Sequence, residues 1–227
     1  MKMKKRLICI LAALFGLVGK SLATIEIQAT YTDKNGTEVV ATESIDTEAP
    51  LHVHFTYTSA GVDPGASYEW HIRNTVAGID ITRYDETVDY DFTVAGTTVV
   101  TVQATLDGDV VDQATLTVKI SDSVLEMPNA FSPNGDGIND HYQAKSTSRS
   151  IVEFHAYIFN RYGQKLFDWT DWTNQDGGWD GTYKGHPVKD GVYFVYVKAR
   201  GADGREYDIR RDVNLLRNHN LPETTNP

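Results

Sequence analysis

An apolar alternation with a period of two residues dominates most of the chain. In the clearest run, at residues 98–106, Val100, Val102 and Ala104 fall on one side of an extended strand and the polar Thr101 falls on the other. This period predicts half-buried β-strands. No segment carries a sustained period of 3.6 residues, which a packed helix requires. We therefore expect an all-β protein.

The alternating runs form two groups on either side of a short polar segment. The first group, at residues 24–121, contains about seven strands, which predicts an immunoglobulin-like sandwich. Asp107-Gly108 stands between two of its runs and predicts a hairpin turn, because both residues tolerate a positive φ. The second group, at residues 125–217, predicts a smaller sandwich. The fold expected is therefore two tandem immunoglobulin-like β-sandwich domains, followed by a flexible tail at residues 218–227.

The first 23 residues have the pattern of a signal peptide. Basic residues at positions 2–6 precede an apolar run at 7–18, and Ser21-Leu22-Ala23 supplies the small residues of a cleavage site. The chain's one cysteine, Cys9, lies inside the apolar run. The mature chain is therefore expected to contain no disulfide and, having no other long apolar stretch, no transmembrane segment.

The charge of the chain excludes one class of partner. The formal net charge is −10, and five of the 21 basic residues lie in the predicted signal peptide, so the mature chain is more acidic still. Affinity for nucleic acid comes largely from cations that neutralise phosphates. A body this acidic repels phosphate backbones, and we expect no nucleic-acid partner.

The second half carries a series of distinctive motifs. They are the string at 128–140 (Pro-Asn-Ala-Phe-Ser-Pro-Asn-Gly-Asp-Gly-Ile-Asn-Asp), residues 158–163 (Ile-Phe-Asn-Arg-Tyr-Gly), Trp179-Asp180-Gly181-Thr182, Asp190-Gly191-Val192-Tyr193 and Leu215-Leu216-Arg217. In this order they resemble the gliding-motility-associated C-terminal domain of Bacteroidetes, the type B sorting domain of the type IX secretion system. The family pattern has Trp at Tyr162 and Phe at Tyr142, so both substitutions keep an aromatic ring.

The resemblance implies export. The Sec system would move the chain to the periplasm, and the type IX translocon would carry it across the outer membrane. The protein would then stay on the cell surface or outer membrane, or be released outside the cell. The resemblance also implies an outer-membrane barrel of the gliding-motility/porin-like family as partner. Residues 24–120 more loosely resemble a PKD-like or bacterial immunoglobulin-like domain, through Tyr68-Glu69-Trp70 and the motif at 87–92.

Cationic and aromatic residues of the second half are the candidates for contacting such a partner, because loops and sheet edges rich in these groups favour protein recognition. The predicted partner-binding residues are Arg161, Tyr162, Lys184, Arg210, Arg211 and Arg217.

One loop has the composition of a calcium site. Asn134, Asp136, Asn139 and Asp140 place four oxygen-bearing side chains within seven residues, and two glycines allow the backbone to wrap. Calcium takes about six to eight oxygen ligands of this kind. The alternative is a rigid turn held by hydrogen bonds from the Asn and Asp side chains to the backbone. No cofactor is required beyond a possible structural calcium ion.

Two further groups of side chains suggest ligands. Trp169 and Trp172 lie among acidic residues and could stack on a glycan, or they could belong to the core. His52 and His54 would share one strand face, which is half of a metal site. No third ligand is evident near them, so an ordinary surface pair is the interpretation we prefer.

The chain has no recognisable catalytic motif. A nucleophile elbow, a phosphate loop, a zinc-protease helix and a dinucleotide fingerprint are all missing from the sequence. We therefore expect a non-enzymatic exported protein, with a C-terminal domain that directs type IX secretion and surface attachment, and an immunoglobulin-like interaction module. The alternatives are a surface carbohydrate-binding module and a fixed accessory subunit of a secretion or gliding complex.

Overall fold

The computed structural model describes residues 24–174 and 176–217, so the predicted signal peptide and tail lie outside the described residues. All regular elements of the described residues are strands, which confirms the all-β prediction. The first nine are β1 (Thr24–Thr32), β2 (Glu38–Ala41), β3 (Ser44–Thr47), β4 (Leu51–Ala60), β5 (Ser67–Asn74), β6 (Ile79–Arg83), β7 (Val88–Phe92), β8 (Gly96–Leu106) and β9 (Asp109–Ile120).

These nine strands form two sheets that share one core. One sheet has the order β2-β1-β4-β7, and the other has the order β3-β9-β8-β5-β6. Phe55 of the first sheet and Trp70 of the second are both fully buried, with ring centroids 6.2 Å apart. The Trp70 indole N–H donates to the carbonyl of Asp85 at 3.1 Å, so the large ring is buried without losing its hydrogen bond. This is the predicted sandwich.

The predicted alternation of buried and exposed residues is present along β8. Val100, Val102 and Ala104 are fully buried, whereas Val99 is 37% exposed on the outer side. At the following turn Asp107 and Gly108 have φ angles of 54° and 92°, and β8 pairs with β9 in an antiparallel hairpin. The Asp-Gly signal therefore placed this turn correctly.

The remaining seven strands belong to a second domain. They are β10 (Ala130–Phe131), β11 (Ile151–Phe159), β12 (Lys165–Trp169), β13 (Thr182–Tyr183), β14 (His186–Pro187), β15 (Gly191–Gly201) and β16 (Glu206–Leu215). Five of them form one sheet in the order β10-β16-β15-β11-β12, and β13 pairs only with β14. Much of the layer facing the inner side of the large sheet is irregular chain, which contributes Leu125, Met127, Tyr142 and Trp179 to the core.

Trp179 is the centre of this second core. It is fully buried, and its ring centroid lies 5.3 Å from that of Phe131 and 4.9 Å from that of Tyr193. Its indole N–H donates to the carbonyl of Thr182 at 2.8 Å. The backbones of Tyr142 and Trp179 exchange hydrogen bonds of 2.8 and 3.1 Å, which connect two segments of the irregular layer.

The two domains meet at the turn between β15 and β16. Ala202 of this turn is buried and packs against the first core. Its carbonyl accepts the backbone N–H of Ala95 at 2.9 Å, while its own N–H donates to the carbonyl of Ser150 at 2.9 Å. The Ser150 hydroxyl accepts the N–H of Ala49 at 3.2 Å. The second domain is therefore attached to the first by packing as well as by the connecting chain.

In the part of the chain that the structure describes, no helix is long and apolar enough to cross a lipid bilayer.

Candidate functional site

Three of the six predicted partner-binding residues gather at one end of the second domain, which we call the distal tip (residues 160–164 and 183–184). It lies at the end of the sheet opposite the domain junction, since β11 ends and β15 begins there. The Tyr162 ring is 79% exposed, and the guanidinium carbon of Arg161 lies 5.0 Å from its centroid. The Lys184 ammonium lies 5.3 Å from the ring centroid of Tyr183. The tip therefore carries two cation–aromatic contacts, and both Tyr162 and Lys184 are exposed to solvent.

Hydrogen bonds hold the distal tip in one conformation. The Asn160 side-chain carbonyl accepts the backbone N–H groups of Tyr162 at 3.0 Å and Gln164 at 3.1 Å. The Gln164 amide donates to the Tyr183 hydroxyl at 3.0 Å, which links the two loops of the tip. A cleft of about 420 Å³ lies between the turn at 160–164 and the segment at 188–193. The tip thus offers ordered side chains beside a concave surface.

Arg217 and Arg211 are occupied within the fold. The Arg217 guanidinium donates to the carbonyl of Gly181 at 2.6 Å, to the carbonyl of Val188 and to the Asp190 carboxylate at 3.1 Å. The Arg211 guanidinium donates to the carbonyl of Met127 at 3.0 Å. Both guanidinium groups thus bind distant segments of their own domain: Arg217 makes three such contacts, and Arg211, which is exposed, makes one.

Arg210 lies on the solvent side of the large sheet, beside aromatic residues that are not among the predicted site residues. Its guanidinium carbon is 4.8 Å from the ring centroid of Tyr196. The rings of Tyr196 and Tyr157 are near-parallel at 6.0 Å, and Tyr157 stacks on His155 at 4.1 Å. The signal that could have found them is in β11, where the side opposite the apolar one carries His155, Tyr157 and Phe159 in place of small polar residues.

The predicted calcium loop is held together by its own carboxylates. Asp140 accepts the backbone N–H groups of Asn134 at 2.9 Å, Gly135 at 2.7 Å and Gly137 at 2.8 Å. The hydrogen bonds from Gly135 and then Gly137 lower the pKa of Asp140. Asp136 accepts the N–H of Ile138 at 2.8 Å. The turn held by side-chain hydrogen bonds, which was the alternative, is thus present.

Calcium binding by this loop stays a prediction. Within residues 24–174 and 176–217, no group of three or more His, Cys, Asp or Glu side chains is arranged to hold a metal. Asn139, which has a φ of 54°, and the amide of Asn134 would have to supply oxygens beside Asp136 and Asp140.

Adding Ca²⁺ to the metal-free mature chain is expected to raise the melting temperature by several degrees, because an ion that binds only the folded state stabilises it. A chelator should reverse the shift, and the double variant Asn134→Ala/Asp136→Ala should abolish it. Asp140 is left intact because it accepts three backbone N–H groups of the loop, whereas Asp136 accepts one. A melting curve that is identical with Ca²⁺ and with chelator would contradict calcium binding.

Trp169 and Trp172 are positioned as the core-packing alternative expects. Trp169 is only 7% exposed, with its ring centroid 6.4 Å from that of Tyr142 and 5.9 Å from that of Phe154. Trp172 is partly buried against the same core, and its indole N–H donates to the carbonyl of Ile151 at 3.1 Å. The open pair of rings that glycan stacking requires is not formed, because the Trp169 ring packs inside the domain.

His52 and His54 each face a carboxylate on the neighbouring strand. His52 Nδ1 lies 2.7 Å from the Asp91 carboxylate, and His54 Nδ1 lies 2.8 Å from that of Asp89. In the antiparallel register, His52 is opposite Asp91 and His54 is opposite Asp89. The predicted shared face is present, and its imidazoles are hydrogen-bonded to acids.

The hydrogen bond to Asp91, with added attraction from Asp91 and Asp89, raises the pKa of His52 above its ordinary value of 6.5. Because the folded-state pKa is raised, the stabilisation is fully present below pH 6.5 and is lost as the pH rises through the higher value. NMR titration of the imidazole should show the raised midpoint. Asp91→Asn should return it towards 6.5, whereas Asp80→Asn, on the other sheet, should not change it. An unchanged midpoint in Asp91→Asn would contradict this assignment.

Residues 125–209 match the family model described as "CHU_C Type IX secretion signal domain". This span contains the loop at 128–140, β11, the distal tip, all of β15 and the first four residues of β16. The second domain is a type IX secretion signal domain. The chain is accordingly a type IX-sorted protein that is exported to the cell surface or the extracellular space, as predicted. The signal domain also implies interaction with the secretion system.

No curated protein matches the chain, and three solved structures resemble it weakly. A tetra-tandem repeat from the extending region of a large adhesion protein is 14% identical, with a TM-score of 0.29 over 85% of this chain and 67% of that one. The Bacteroides ovatus protein SGBP-B of a mixed-linkage glucan utilization locus, in complex with a heptasaccharide, is 14% identical, with a TM-score of 0.27 over 76% and 42%. The chicken interferon gamma receptor alpha chain is 8% identical, with a TM-score of 0.26 over 75% and 94%. At these TM-scores none of the three supports an inference about the signal domain or the domain before it.

Proposed function

We propose that the type IX translocon, or an outer-membrane barrel associated with it, recognises the signal domain at its distal tip. The observation that carries the proposal is the position of Arg161 and Tyr162. They are exposed at the end of the sheet that points away from the domain junction, so the first domain leaves them free for a partner.

The chemistry of the tip supports recognition of a protein. Arg and Tyr are among the residues that contribute most to the affinity of protein interfaces. The hydrogen bonds from Gln164 and to Asn160 order the two loops before binding, which reduces the entropy lost when a partner docks. The adjoining cleft would accept a side chain of the partner.

The first domain would act as a non-catalytic interaction module at the cell surface. Two features support this role: the sandwich architecture and the polar outer side of the sheet formed by β9, β8, β5 and β6. There the Thr101 and Thr115 hydroxyls hydrogen-bond each other at 3.2 Å, and Arg73 pairs with Asp80 at 3.0 Å. Small-molecule sites are concave and mostly apolar, so an open, polar sheet side of this kind favours contact with another macromolecule.

Export of the full chain with Arg161→Ala/Tyr162→Ala tests the tip. Loss of two interface residues of this type costs about 2 kcal/mol or more, which weakens binding at least tenfold. We expect the variant to accumulate in the periplasm, with a much smaller fraction accessible to protease added outside intact cells.

The matched control is Arg83→Ala/Tyr84→Ala, which removes the same residue pair from the first domain, where Tyr84 is 75% exposed. This control should reach the surface normally. Normal export of the tip variant, in a strain whose export depends on the type IX translocon, would refute recognition at the tip.

A further inference from the structure

The distal tip and the hairpin β13–β14 beside it form a cationic region in an acidic chain. Residues 160–164 and 182–189 include Arg161, Lys184 and Lys189 and contain no Asp or Glu, whereas the whole chain has a formal net charge of −10. All three side chains are exposed. In the part of the chain that the structure describes, none of the three forms an ion pair.

The cleft beside the tip has a cation on each side and an apolar lining between them. Arg161 lines the cleft of about 420 Å³ from the turn of the tip, and Lys189 lines it from the opposite segment. Leu166 and Val188 also line the cleft and are half-buried against the core of the domain. The cleft therefore suits an apolar side chain that is flanked by negative charges.

The acid that lines this cleft is already occupied. The Asp190 carboxylate accepts the Arg217 guanidinium at 3.1 Å and the backbone N–H of Arg217 at 2.9 Å. Because Arg217 compensates the charge of Asp190, the cleft keeps the positive charges of Arg161 and Lys189.

Lys184 occupies a turn position that its backbone does not favour. It is the first of the two central residues in the turn Lys184-Gly185 that joins β13 and β14, and their φ angles are 53° and 78°. Turns of this kind favour Asn, Asp or Gly at that position. A lysine with a positive φ is uncommon and points to a functional constraint. The turn itself thus gives no reason for a lysine, whereas a role for its exposed charge does.

We infer that the partner recognised at the distal tip presents an acidic protein segment to it. Carboxylates of that segment would pair with Arg161, Lys184 and Lys189, and an apolar side chain between them would enter the cleft. The inference rests on the proposed function, because it names the chemistry of the partner that the tip would recognise. A guanidinium and a carboxylate can form two parallel hydrogen bonds, which gives such a contact a defined geometry.

The same charges are too few to favour an anionic lipid surface. Segments that bind such surfaces carry about four to eight Lys and Arg residues, and the tip and its hairpin carry three. The acidic remainder of the chain would also be repelled by anionic lipid. A protruding side chain of a protein fits a concave cleft, whereas a layer of lipid headgroups does not.

A peptide titration tests the charge of the segment. The probe is the blocked peptide Glu-Asp-Phe-Asp-Glu, and its control is Gln-Asn-Phe-Asn-Gln, which has nearly the same shape and no charge. In NMR spectra of the full mature chain at low salt, the acidic peptide should shift the amide signals of Tyr162 and Val192. The control peptide should bind about fivefold more weakly or less, because it forms no ion pairs.

Variants of the chain test which cations act. Lys184→Asn/Lys189→Gln should weaken binding of the acidic peptide about tenfold, since one exposed ion pair contributes up to about fivefold. Lys34→Gln/Lys198→Gln removes the same charge from exposed positions outside the tip and should leave binding within about twofold. Lys184→Asn alone should keep or raise the melting temperature, because Asn suits the turn. Weaker binding would then not be an effect of unfolding.

Export separates this inference from the proposed function. Reduced surface exposure of both Arg161→Ala/Tyr162→Ala and Lys184→Asn/Lys189→Gln supports both. Loss of export in the first variant alone leaves recognition at the tip in place but overturns the acidic segment, and so does equal binding of the two peptides. Normal export of both variants overturns both proposals. Co-sedimentation with vesicles that contain anionic lipid, with no preference for the acidic peptide, would assign the cations to a lipid surface instead.

Discussion

Replacement of Trp179 by Ala is expected to lower the free energy of unfolding of the second domain by about 3–5 kcal/mol, the usual cost of removing a large aromatic side chain from a core. Trp179 is fully buried and contacts the rings of Phe131 and Tyr193. Truncation also removes the indole N–H that satisfies the carbonyl of Thr182. The irregular layer, which has few regular strand pairings of its own, would lose the ring around which it is packed.

Denaturant unfolding of the full mature chain, followed by far-ultraviolet circular dichroism, measures this loss. Tyr162→Ala is the matched control, because it removes another aromatic ring from the same domain at a position that is 79% exposed. The control should lie within about 0.5 kcal/mol of the parent chain. Equal effects of the two substitutions would show that Trp179 does not organise the second core.

The second large effect is expected at the domain junction. A Cβ atom added at Gly201 would lie 2.0 Å from the Ser123 hydroxyl oxygen and 2.4 Å from its Cβ. The Ser123 Cβ is bonded to the backbone, so no side-chain rotation can move it away from the added atom. Gly201→Ala should therefore cost about 1–3 kcal/mol, as overpacking usually does. It should also disturb the hydrogen bond of 2.6 Å from Ser123 to Asp203.

The clash predicts a specific rescue. Gly201→Ala combined with Ser123→Gly removes both of the closest atoms, so the double variant should recover part of the loss and show a coupling energy of about 0.5–3 kcal/mol. Melting temperature and limited proteolysis at the junction report the result. A double variant whose loss equals the sum of the two single losses would mean that the two residues are not in contact.

Features set by local pattern could be predicted from the sequence. The alternation at Val100, Val102 and Ala104 identified β8 and its buried side, because neighbouring residues on a strand must point in opposite directions. Asp107-Gly108 identified the hairpin, because only a few residues accept two positive φ angles in succession. The motifs that resemble the sorting-domain family identified the second domain in the same way.

Features set by distant contacts could not be predicted. Nothing near Arg217 indicates that its guanidinium binds Gly181, Val188 and Asp190, which lie far from it along the chain. A charged residue near a domain end therefore looked like a surface group. For Trp169, the acids around it suggested a sugar site, whereas tertiary packing places the ring in the core. Only the folded structure separates such residues from Arg161 and Tyr162, which remain exposed.

The burial of Ala202 in the neighbouring domain has a practical consequence for chimeras. A reporter fused directly to residues 125–217 would lack the apolar side chains of the first domain that pack against Ala202. It would also lack the N–H of Ala95, which donates to the Ala202 carbonyl. Such a fusion would expose a small hydrophobic surface that the parent molecule hides, and poor solubility could then be mistaken for failed targeting. Reporter fusions intended to test export by the signal domain should therefore retain residues 24–124, which cover this turn.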